Sequence, residues 1–552
     1  MLLFEDFKSK LHKSLTSLLP GMNEKDLLLD NSGHGDFTLR LFRIVKDRKT
    51  TPEEIYGTLK EALQREYYIE SIDLSGQYIN FMVRTESMFL AIQESIERTG
   101  QYPDTFQDPE RILVEHTSAN PTGPLHVGRV RNPIIGDSLA RLLKRYGYRV
   151  STQYYINDSG KQVITLYDAY LRNGNKIATP ESLLKGYQDI YRDMEKDTEI
   201  AKEVNKLVSE YESGNRSIIM KIREIASIML HNIRESLLKL DINIEDYIWE
   251  SDFLLGGDVE RVMEDLSENL KDEDGAKYIT MEDGTKVFLK RKDGTSLYFA
   301  RDVAYHMFKA LNFDRFIDVL GEDHKNHGEH LTYVLKNLMG LKQQIDFVYY
   351  GFISLDTGKM STRKGNVVSA WDLIARTEEE ALSIVREKRT DLPEEKLRTI
   401  AESVARSSIR FNIIRVNPSK AMVFRWSEAL NFEGDSAPYI MYSHTRASSI
   451  LAKTNKVDVS DLHFSNDAEK TLVHRLYLYP YVLEEAAKTL RPDTLSNYLL
   501  GLVKAFNDFY TQCPVLNSPT EDRNRRISLV KGFRTILDDA CKIIGISNVD
   551  EM

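Results

Sequence analysis

The pattern of hydrophobic and polar residues changes twice along the 552-residue chain and so divides it into three parts. In residues 1–105, Thr51 and Pro52 are typical of a helix start, and apolar residues follow them at helical spacing. Residues 78–83 predict a strand. The mixture indicates a small α+β domain that ends near the polar, proline-containing stretch 101–105.

In residues 106–375, short apolar runs alternate with amphipathic segments. This alternation of strands and helices predicts an α/β domain with a doubly wound parallel sheet. Residues 180–240, rich in Lys, Glu and Asp, predict an inserted helical segment, and Asp-Gly pairs at 283–284 and 293–294 predict hairpin turns. The predicted strands are 112–114, 148–156, 316–320 and 347–352, and the predicted helices are 136–146 and 158–171.

Beyond residue 375 the apolar residues keep helical spacing, most clearly over 472–490 and 495–510. No convincing strand remains there. Residues 376–552 therefore predict an all-helical domain.

Composition narrows the class of protein. Hydrophobic residues make up 41% and charged residues 29% of the chain, which excludes disordered, collagenous and coiled-coil proteins. No apolar stretch approaches the roughly 20 residues of a membrane span, and the charged N-terminus is not typical of a signal peptide. Cys513 and Cys541 are the only cysteines, so neither a disulfide framework nor a CxxC metal site is expected. We expect a cytoplasmic protein without a membrane partner.

Charge leaves a nucleic-acid partner open. The net charge of −10 excludes a basic footprint over the whole chain. Local basic clusters nevertheless occur at 129–149 and 406–425. Each cluster indicates either a surface for nucleic acid or an ordinary solvated helix face.

The stretch 115–129, Glu-His-Thr-Ser-Ala-Asn-Pro-Thr-Gly-Pro-Leu-His-Val-Gly-Arg, follows a predicted strand and precedes a helix. Doubly wound sheets bind ligands at this position, and a helix N-terminus attracts phosphate. Two prolines and two glycines would let phosphate approach the backbone, and His126 and Arg129 would add donors. The alternative is an ordinary loop with a capping histidine. Because Asn132-Pro133 is itself typical of a helix start, the helix is expected to begin after the motif or to bend within it.

A second stretch, 358–368, carries three cations and two hydroxyl groups between glycines. Such a loop can close over a polyphosphate and supply positive charge in the transition state. The alternative is a basic surface loop.

Together the two stretches resemble the HIGH and KMSKS regions of class I aminoacyl-tRNA synthetases, in the order that this class has. The neighbouring motifs resemble those of the arginyl-tRNA synthetase family. They are Glu-x-x-Ser-x-Asn-Pro at 115–121, Tyr-x-x-Arg-Asp at 298–302, and the stretches 35–37, 77–81 and 431–442. The resemblance covers nearly the whole chain.

This resemblance implies a fold and a reaction. A Rossmann-type catalytic domain at 106–375 would lie between a tRNA-contacting N-terminal domain at 1–105 and an anticodon-binding helical domain at 376–552. The chain would activate L-arginine with ATP and Mg²⁺ to arginyl-adenylate, and transfer the arginyl group to the 3′ end of tRNA(Arg). The family is expected to need bound tRNA for the first step. A monomer is expected.

The resemblance also implies site residues. The catalytic set would be His126, Gly128, Arg129, Lys359, Met360, Ser361, Arg363 and Lys364. ATP would contact Ala119, Asn120, Pro121, Thr122, Gly123, Pro124, Leu125, His126, Val127, Gly128, Arg129, Gly321, Asp323 and His324. Arginine would contact Glu115, Ser118, Asn120, Tyr298 and Asp302.

The arginine assignment agrees with the chemistry of the residues. A guanidinium group presents a rigid fork of donors, which suits carboxylates and planar acceptors. Tyr298 and Asp302 lie four residues apart, on one face if the segment is helical. The alternative for Asp302 is a helix cap or a partner for Arg301.

Three positions depart from the family pattern. Arg129 stands where class I enzymes have histidine, and Thr362 where they have a second lysine. Gly123 stands where many arginyl enzymes place a compensating lysine, so Lys359, Arg363 or Lys364 would supply the charge. These departures leave two alternatives, a catalytically weak paralogue that binds tRNA and a sister class I synthetase.

The histidines at 324, 327 and 330 offer a third alternative, a metal-dependent hydrolase. The first and last of them lie about 600° apart around a helix, and no His-Glu-x-x-His motif is present. We therefore predict no metal site there.

Overall fold

In a computed structural model, the protein is described over residues 6–29, 35–100, 110–174, 179–356, 368–454, 457–549 and 551–552. The chain forms two compact units. One unit comprises Met1–Phe106, Ser443–Glu484 and Tyr498–Ala540, and the other comprises Gln107–Tyr442, Glu485–Asn497 and Cys541–Met552.

The N-terminal part of the first unit is an α+β arrangement, as its pattern predicts. Thr51 and Glu54 form a reciprocal capping box, with Pro52 in the first turn, so the predicted helix start is confirmed. The antiparallel sheet has the order β1-β2-β4-β3. Its strands are β1 (Leu27–Leu29), β2 (Phe37–Arg40), β3 (Ile69–Ser75) and β4 (Tyr78–Val83), and its helices are α1 (Phe7–Leu18), α2 (Phe42–Arg48), α3 (Pro52–Leu63) and α4 (Thr85–Thr99).

The second unit is built on the predicted parallel sheet. The order of its five strands is β12-β11-β5-β6-β7, with every pair parallel. Because β5 has β6 on one side and β11 on the other, the strand order reverses at β5, and ligands bind beside such a switch point. The strands are β5 (Arg111–Glu115), β6 (Arg149–Ile156), β7 (Asp246–Trp249), β11 (Arg315–Gly321) and β12 (Gln344–Tyr350).

The predicted helical insertion is confirmed. Thr179 caps one of its helices and Asn215 another, so local sequence signals set these helix starts. The helices between β6 and β7 are α6 (Lys161–Arg172), α7 (Pro180–Met194), α8 (Thr198–Glu212) and α9 (Arg216–Lys239).

The helix after β5 starts earlier than predicted. It is α5 (Val127–Tyr146), with Pro133 inside it. Asn132 does not cap a helix, because its side chain accepts from the Thr117 amide at 2.5 Å and donates to the Val319 carbonyl at 2.8 Å.

The two Asp-Gly pairs behave differently. Asp283-Gly284 makes the predicted hairpin between two strands of a small antiparallel sheet. Asp293-Gly294 closes only a single bridge, between Lys290 and Ser296, before the next helix begins. The elements here are α10 (Glu250–Leu255), α11 (Asp258–Asp265), β8 (Lys271–Glu273), β9 (Ala276–Thr280), β10 (Lys286–Lys290), α12 (Tyr298–Asn312) and α13 (Lys325–Tyr333).

The remainder of the chain is helical with one exception. The prediction that no strand follows residue 375 is wrong, since β14 (Met422–Phe424) pairs in parallel with β13 (Ile353–Leu355). A three-residue strand is too short to show alternation, and a partner distant in sequence sets it. The helices are α14 (Ala370–Lys388), α15 (Glu394–Ile414), α16 (Trp426–Ala429), α17 (Ala437–Leu451), α18 (Asp467–Tyr477), α19 (Tyr479–Thr489), α20 (Pro492–Gln512) and α21 (Thr520–Ile544).

Two arginines of the basic clusters are structural. Arg131 is buried and donates to the carbonyls of Gly351, at 2.7 Å, and Asn417, at 2.8 Å. Arg410 is equally buried and contacts the Asp137 carboxylate at 2.5 Å. Neither side chain is available to a nucleic acid.

Among the described residues, no helix has both the length and the apolar run needed to cross a membrane.

Candidate active site

The backbone turns sharply where β5 ends. Thr117 and Ser118 have φ values of 75° and 37°, which side chains with a Cβ rarely adopt. The Thr117 amide is held by the Asn132 side chain, and the Ser118 hydroxyl donates to the Glu115 carboxylate at 2.9 Å. Strained backbone that is held in this way is typical of functional sites.

The stretch after this turn borders a cavity of about 360 Å³. His126 is the N-cap residue of α5, so the positive end of the helix dipole lies beside this space. Eight of the predicted ATP-binding residues line the cavity: Ala119, Asn120, Thr122, Gly123, Pro124, Leu125, His126 and Arg129.

Three residues of the same stretch are not part of the cavity lining: Pro121, Val127 and Gly128. The rest of the lining comes from residues that the sequence did not indicate. Gln162 of α6 accepts from the Asn120 amide at 2.9 Å. The other unpredicted lining residues are Leu184, Tyr187 and Gln188 of α7, and Ser369. No motif marks the residues of α6 and α7, because they reach the cavity through the packing of the helical insertion, whereas Ser369 directly follows the second motif as the N-cap of α14.

Gly128 explains the His-x-Gly spacing. A Cβ at this position would lie 2.9 Å from Cε1 of His126, so a larger residue would displace the ring. Burial and the neighbouring Arg129 lower the pKa of His126 to about 4. The imidazole is therefore neutral at pH 7 and can donate one N–H to a ligand.

Backbone hydrogen bonds join the first motif, 115–129, to the end of the second motif, 358–368, and to the residues that follow it. The Val127 amide donates to the Val368 carbonyl at 3.0 Å, and the Ala370 amide to the Leu125 carbonyl at 2.6 Å. The chain thus returns to the first motif directly after the KMSKS-like stretch. Five predicted catalytic residues of that stretch lie outside the described residues: Lys359, Met360, Ser361, Arg363 and Lys364.

The predicted arginine-binding pair is on α12. Tyr298 is its first residue, 63% exposed, and Asp302 follows one turn later. The Asp302 carboxylate contacts His327 at 2.5 Å and His306 at 3.2 Å, and its side chain keeps 23% of its surface exposed. Burial by itself raises the pKa of Asp302, but hydrogen bonds from the two histidines outweigh burial and hold the pKa well below its ordinary value.

Arg301 does not pair with Asp302. It is almost fully buried, contacts Glu250 at 3.1 Å, and forms an ion pair with Glu212. The alternative in which Asp302 is merely the partner of Arg301 is therefore wrong.

Glu115, another predicted arginine contact, is the last residue of β5. One of its oxygens accepts from Ser118, and the other is 2.6 Å from Nζ of Lys309. Burial raises the pKa of Glu115, and the Lys309 charge opposes that shift. Two residues that the motifs did not indicate, Lys309 and His306, thus contact the predicted arginine-binding carboxylates, and Asp318 contacts both of them.

The other predicted ATP contacts, Gly321, Asp323 and His324, lie at and just after the end of β11. Gly321 ends the strand, and a Cβ there would lie 2.4 Å from Oδ1 of Asp323. Asp323 and His324 are exposed in a short turn, and neither they nor Gly321 belong to the described lining of the cavity. Over the described part of the chain, no cluster of three or more His, Cys, Asp or Glu residues could hold a metal ion, and His327 faces Asp302.

Comparison with known families gives three matches along the chain. The catalytic domain of class I (R) tRNA synthetases matches residues 91–426. The DALR anticodon binding domain matches residues 440–552, and the arginyl tRNA synthetase N terminal domain matches residues 5–83.

Individual proteins agree with these matches. The chain is 48% identical to the arginine–tRNA ligase of Thermoplasma acidophilum over 552 residues, which is 100% of both chains. It is 38% identical to that of Archaeoglobus fulgidus over 95% of this chain and 96% of the relative. The Thermus thermophilus arginyl-tRNA synthetase superimposes with a TM-score of 0.85 at 25% identity, covering 99% of this chain and all of the other. Since the likeness extends over the whole chain in both sequence and fold, the protein belongs to the arginyl-tRNA synthetases, the arginine–tRNA ligases of class I.

Proposed function

We propose that this arginine–tRNA ligase activates L-arginine at the ends of β5 and β11 and transfers it to the 3′ end of tRNA(Arg). The observation that carries the assignment of residues is Asp302. It is a carboxylate held ionised by two histidines, partly open to solvent, with Tyr298 one helical turn away. A guanidinium group is the natural partner of such a carboxylate.

We place ATP in the cavity of 119–129. The N-terminus of α5, the neutral His126 and the cationic Arg129 all border it, and they supply donors and positive charge for phosphate. Because the described residues contain no carboxylate or histidine cluster that fits a metal ion, Mg²⁺ is proposed to come as part of the substrate, carried on the ATP phosphates.

We place arginine between two carboxylates. Asp302 and Tyr298 would receive the guanidinium group, and Glu115, with Ser118 and Asn120, would receive the amino acid end. The carboxylate of arginine then attacks the α-phosphate of ATP and releases pyrophosphate. No protein nucleophile takes part, so catalysis consists of positioning and stabilisation of charge.

The missing KMSKS lysine leaves one cation to assign. Gly123 lines the cavity but has no side chain, so no charge comes from this position. A Cβ there would be 3.4 Å from Leu184. We propose that Lys359, Arg363 or Lys364 provides it during phosphoryl transfer.

The remaining expectations become part of this proposal. Residues 1–105 would contact tRNA, residues 106–375 would catalyse both steps, and residues 376–552 would bind the anticodon. The enzyme would act as a cytoplasmic monomer and would need bound tRNA to form the adenylate.

The test is ATP–pyrophosphate exchange with each of the twenty amino acids, with and without tRNA. Exchange with arginine alone, and only when tRNA is present, supports both the substrate and the tRNA requirement. Exchange with arginine in the absence of tRNA refutes the tRNA requirement. Normal exchange by an Asp302→Asn variant refutes the placement of the guanidinium group.

A further inference from the structure

A continuous line of buried ionic contacts joins the two ends of the proposed arginine site. It starts at Glu115, whose carboxylate is 2.6 Å from Nζ of Lys309. Lys309 is completely buried, and its Nζ is also 2.8 Å from Oδ1 of Asp318. The register of the sheet places Asp318 directly beside Glu115, on the neighbouring strand β11.

His306 continues the line to Asp302. Its Nε2 is 2.8 Å from Oδ2 of Asp318. Its Nδ1 is 2.8 Å from the backbone carbonyl of Asp302 and 3.2 Å from the Asp302 carboxylate. The ring thus bridges a carboxylate on β11 and a carboxylate on α12.

The charged groups that face His306 come from two elements, α12 and β11. Burial and the positive charge of Lys309 oppose protonation, but Asp318 and Asp302 outweigh them and raise the pKa of His306 to about 9. Both ring nitrogens therefore carry protons at pH 7, and each donates to a carboxylate or carbonyl.

The line contains three carboxyl groups, Glu115, Asp318 and Asp302, and two cationic groups, Lys309 and His306. Buried ion pairs are seldom the most stable way to fill a protein core, because each charge must be removed from water. Asp302, where the line ends, also contacts His327 and keeps 23% of its side-chain surface exposed. A guanidinium group can therefore reach this carboxylate from solvent.

We propose that Lys309, Asp318 and His306 are positioning residues that tie Glu115 to Asp302, so that binding of the amino acid end and of the guanidinium end of arginine is coupled. This inference rests on the function proposed above, since it takes Glu115 and Asp302 as the arginine contacts. None of the three positioning residues needs to touch the substrate. The coupling follows because displacement of Lys309 releases Asp318, which holds the ring that orients Asp302.

The experiment uses arginine and two analogues, each of which reports on one end of the site. Citrulline keeps the amino acid end but replaces guanidinium by a neutral urea. 5-Guanidinovalerate keeps the guanidinium but lacks the α-amino group. The full-length enzyme with tRNA and ATP gives a KM for arginine and inhibition constants for both analogues.

We expect His306→Gln to raise the KM for arginine about 30-fold, as is usual when a charged hydrogen bond is lost, with much smaller changes in the KM for ATP and in citrulline inhibition.

Lys309→Met is the decisive variant. It removes a cation that contacts Glu115 and Asp318 but not Asp302, the proposed guanidinium contact. If the two ends are coupled, binding of 5-guanidinovalerate should nevertheless weaken at least about fivefold. Unchanged 5-guanidinovalerate binding in Lys309→Met would show two independent ion pairs and overturn the proposal.

Two further variants separate folding from positioning. Lys292→Met makes the same substitution at a Lys–Asp contact outside the line, to Asp274 at 2.9 Å, and should leave all three constants unchanged. If Lys309→Met does not fold, the variant Glu115→Gln/Lys309→Met removes one charge of each sign and leaves the contact between Asp318 and His306 in place, and the same loss of 5-guanidinovalerate binding is expected.

Asp302→Asn serves as the reference for the proposed function. If Asp302→Asn raises the KM for arginine but His306→Gln does not, the positioning role is wrong and the arginine site stands. If neither variant changes it, the placement of the guanidinium group itself is wrong.

Discussion

The proposed active site has two regions, an ATP side and an arginine side, which adjoin the same end of one sheet and differ in how they are built. The ATP side combines a loop with proline and glycine, the N-terminus of α5 and the cation Arg129, with His126 kept neutral by burial and by Arg129. The arginine side is built from acidic side chains and their buried partners, with His306 kept charged by Asp318 and Asp302. A bound phosphate can be held by dipoles, whereas a guanidinium group requires a fixed negative charge.

The comparison predicts its largest effect at Asp302. Asp302→Asn should lower kcat/KM for arginine by about 10³- to 10⁴-fold. The guanidinium group would lose the carboxylate that pairs with it, and polar groups of the site would be left unpaired. The KM for ATP should change little, since the two sides are built separately. Steady-state aminoacylation measures both constants. A large rise in the KM for ATP would show that the two sides are not separable.

On the ATP side, the strongest effect is expected from a single methyl group. Gly128→Ala would place a Cβ 2.9 Å from Cε1 of His126 and displace the ring, lowering ATP–pyrophosphate exchange by about 10- to 100-fold. Gly123→Ala is the matched control, since its Cβ would be 3.4 Å from Leu184 and should change the rate less than about threefold. Equal effects of the two variants would remove the special role given to the His126 ring.

The two sides also differ in how far the sequence predicts them. The ATP side is built around one contiguous stretch, so the sequence predicts its strand, loop and helix together, although it places the helix start too late and does not indicate Gln162 or the α7 residues. The arginine side collects Glu115 from β5, Asp318 from β11 and His327 from α13. The pairing of parallel strands places Glu115 beside Asp318, whereas His327 reaches Asp302 from a helix that is distant in sequence. One signal was present in the sequence. Asp302, His306 and Lys309 recur at helical spacing along α12, as side chains that share one face of a helix do.

A smaller effect should distinguish the two histidines by pH. His306 has a folded pKa of about 9, above its ordinary 6.5, so its contribution to stability is present below pH 6.5 and is lost as pH rises toward 9. His126 has a folded pKa of about 4, so its contribution is present above pH 6.5 and is lost as pH falls toward 4. Each effect should be of the order of 3 kcal/mol, since each folded pKa lies about 2.5 from the ordinary value of 6.5.

Thermal unfolding between pH 4 and pH 9 measures this contrast. The stability advantage of the wild-type chain over His306→Gln should shrink above pH 6.5, whereas His126→Gln should gain on the wild-type chain below pH 6.5. Parallel curves for both variants would contradict the opposite charge states.

The smallest predicted effect concerns the helical insertion. Gln162 accepts from the Asn120 amide at 2.9 Å and lines the cavity, so Gln162→Ala should raise the KM for ATP by about two- to fivefold through the loss of one neutral hydrogen bond. Gln162→Glu keeps the acceptor and should restore Asn120, while its added negative charge should weaken ATP binding further. If Gln162→Ala and Gln162→Glu both bind ATP as the wild-type enzyme does, the insertion only encloses the cavity. A graded loss instead makes α6 part of the ATP side, which is then built from side chains as well as backbone, and the contrast with the arginine side becomes one of charge alone.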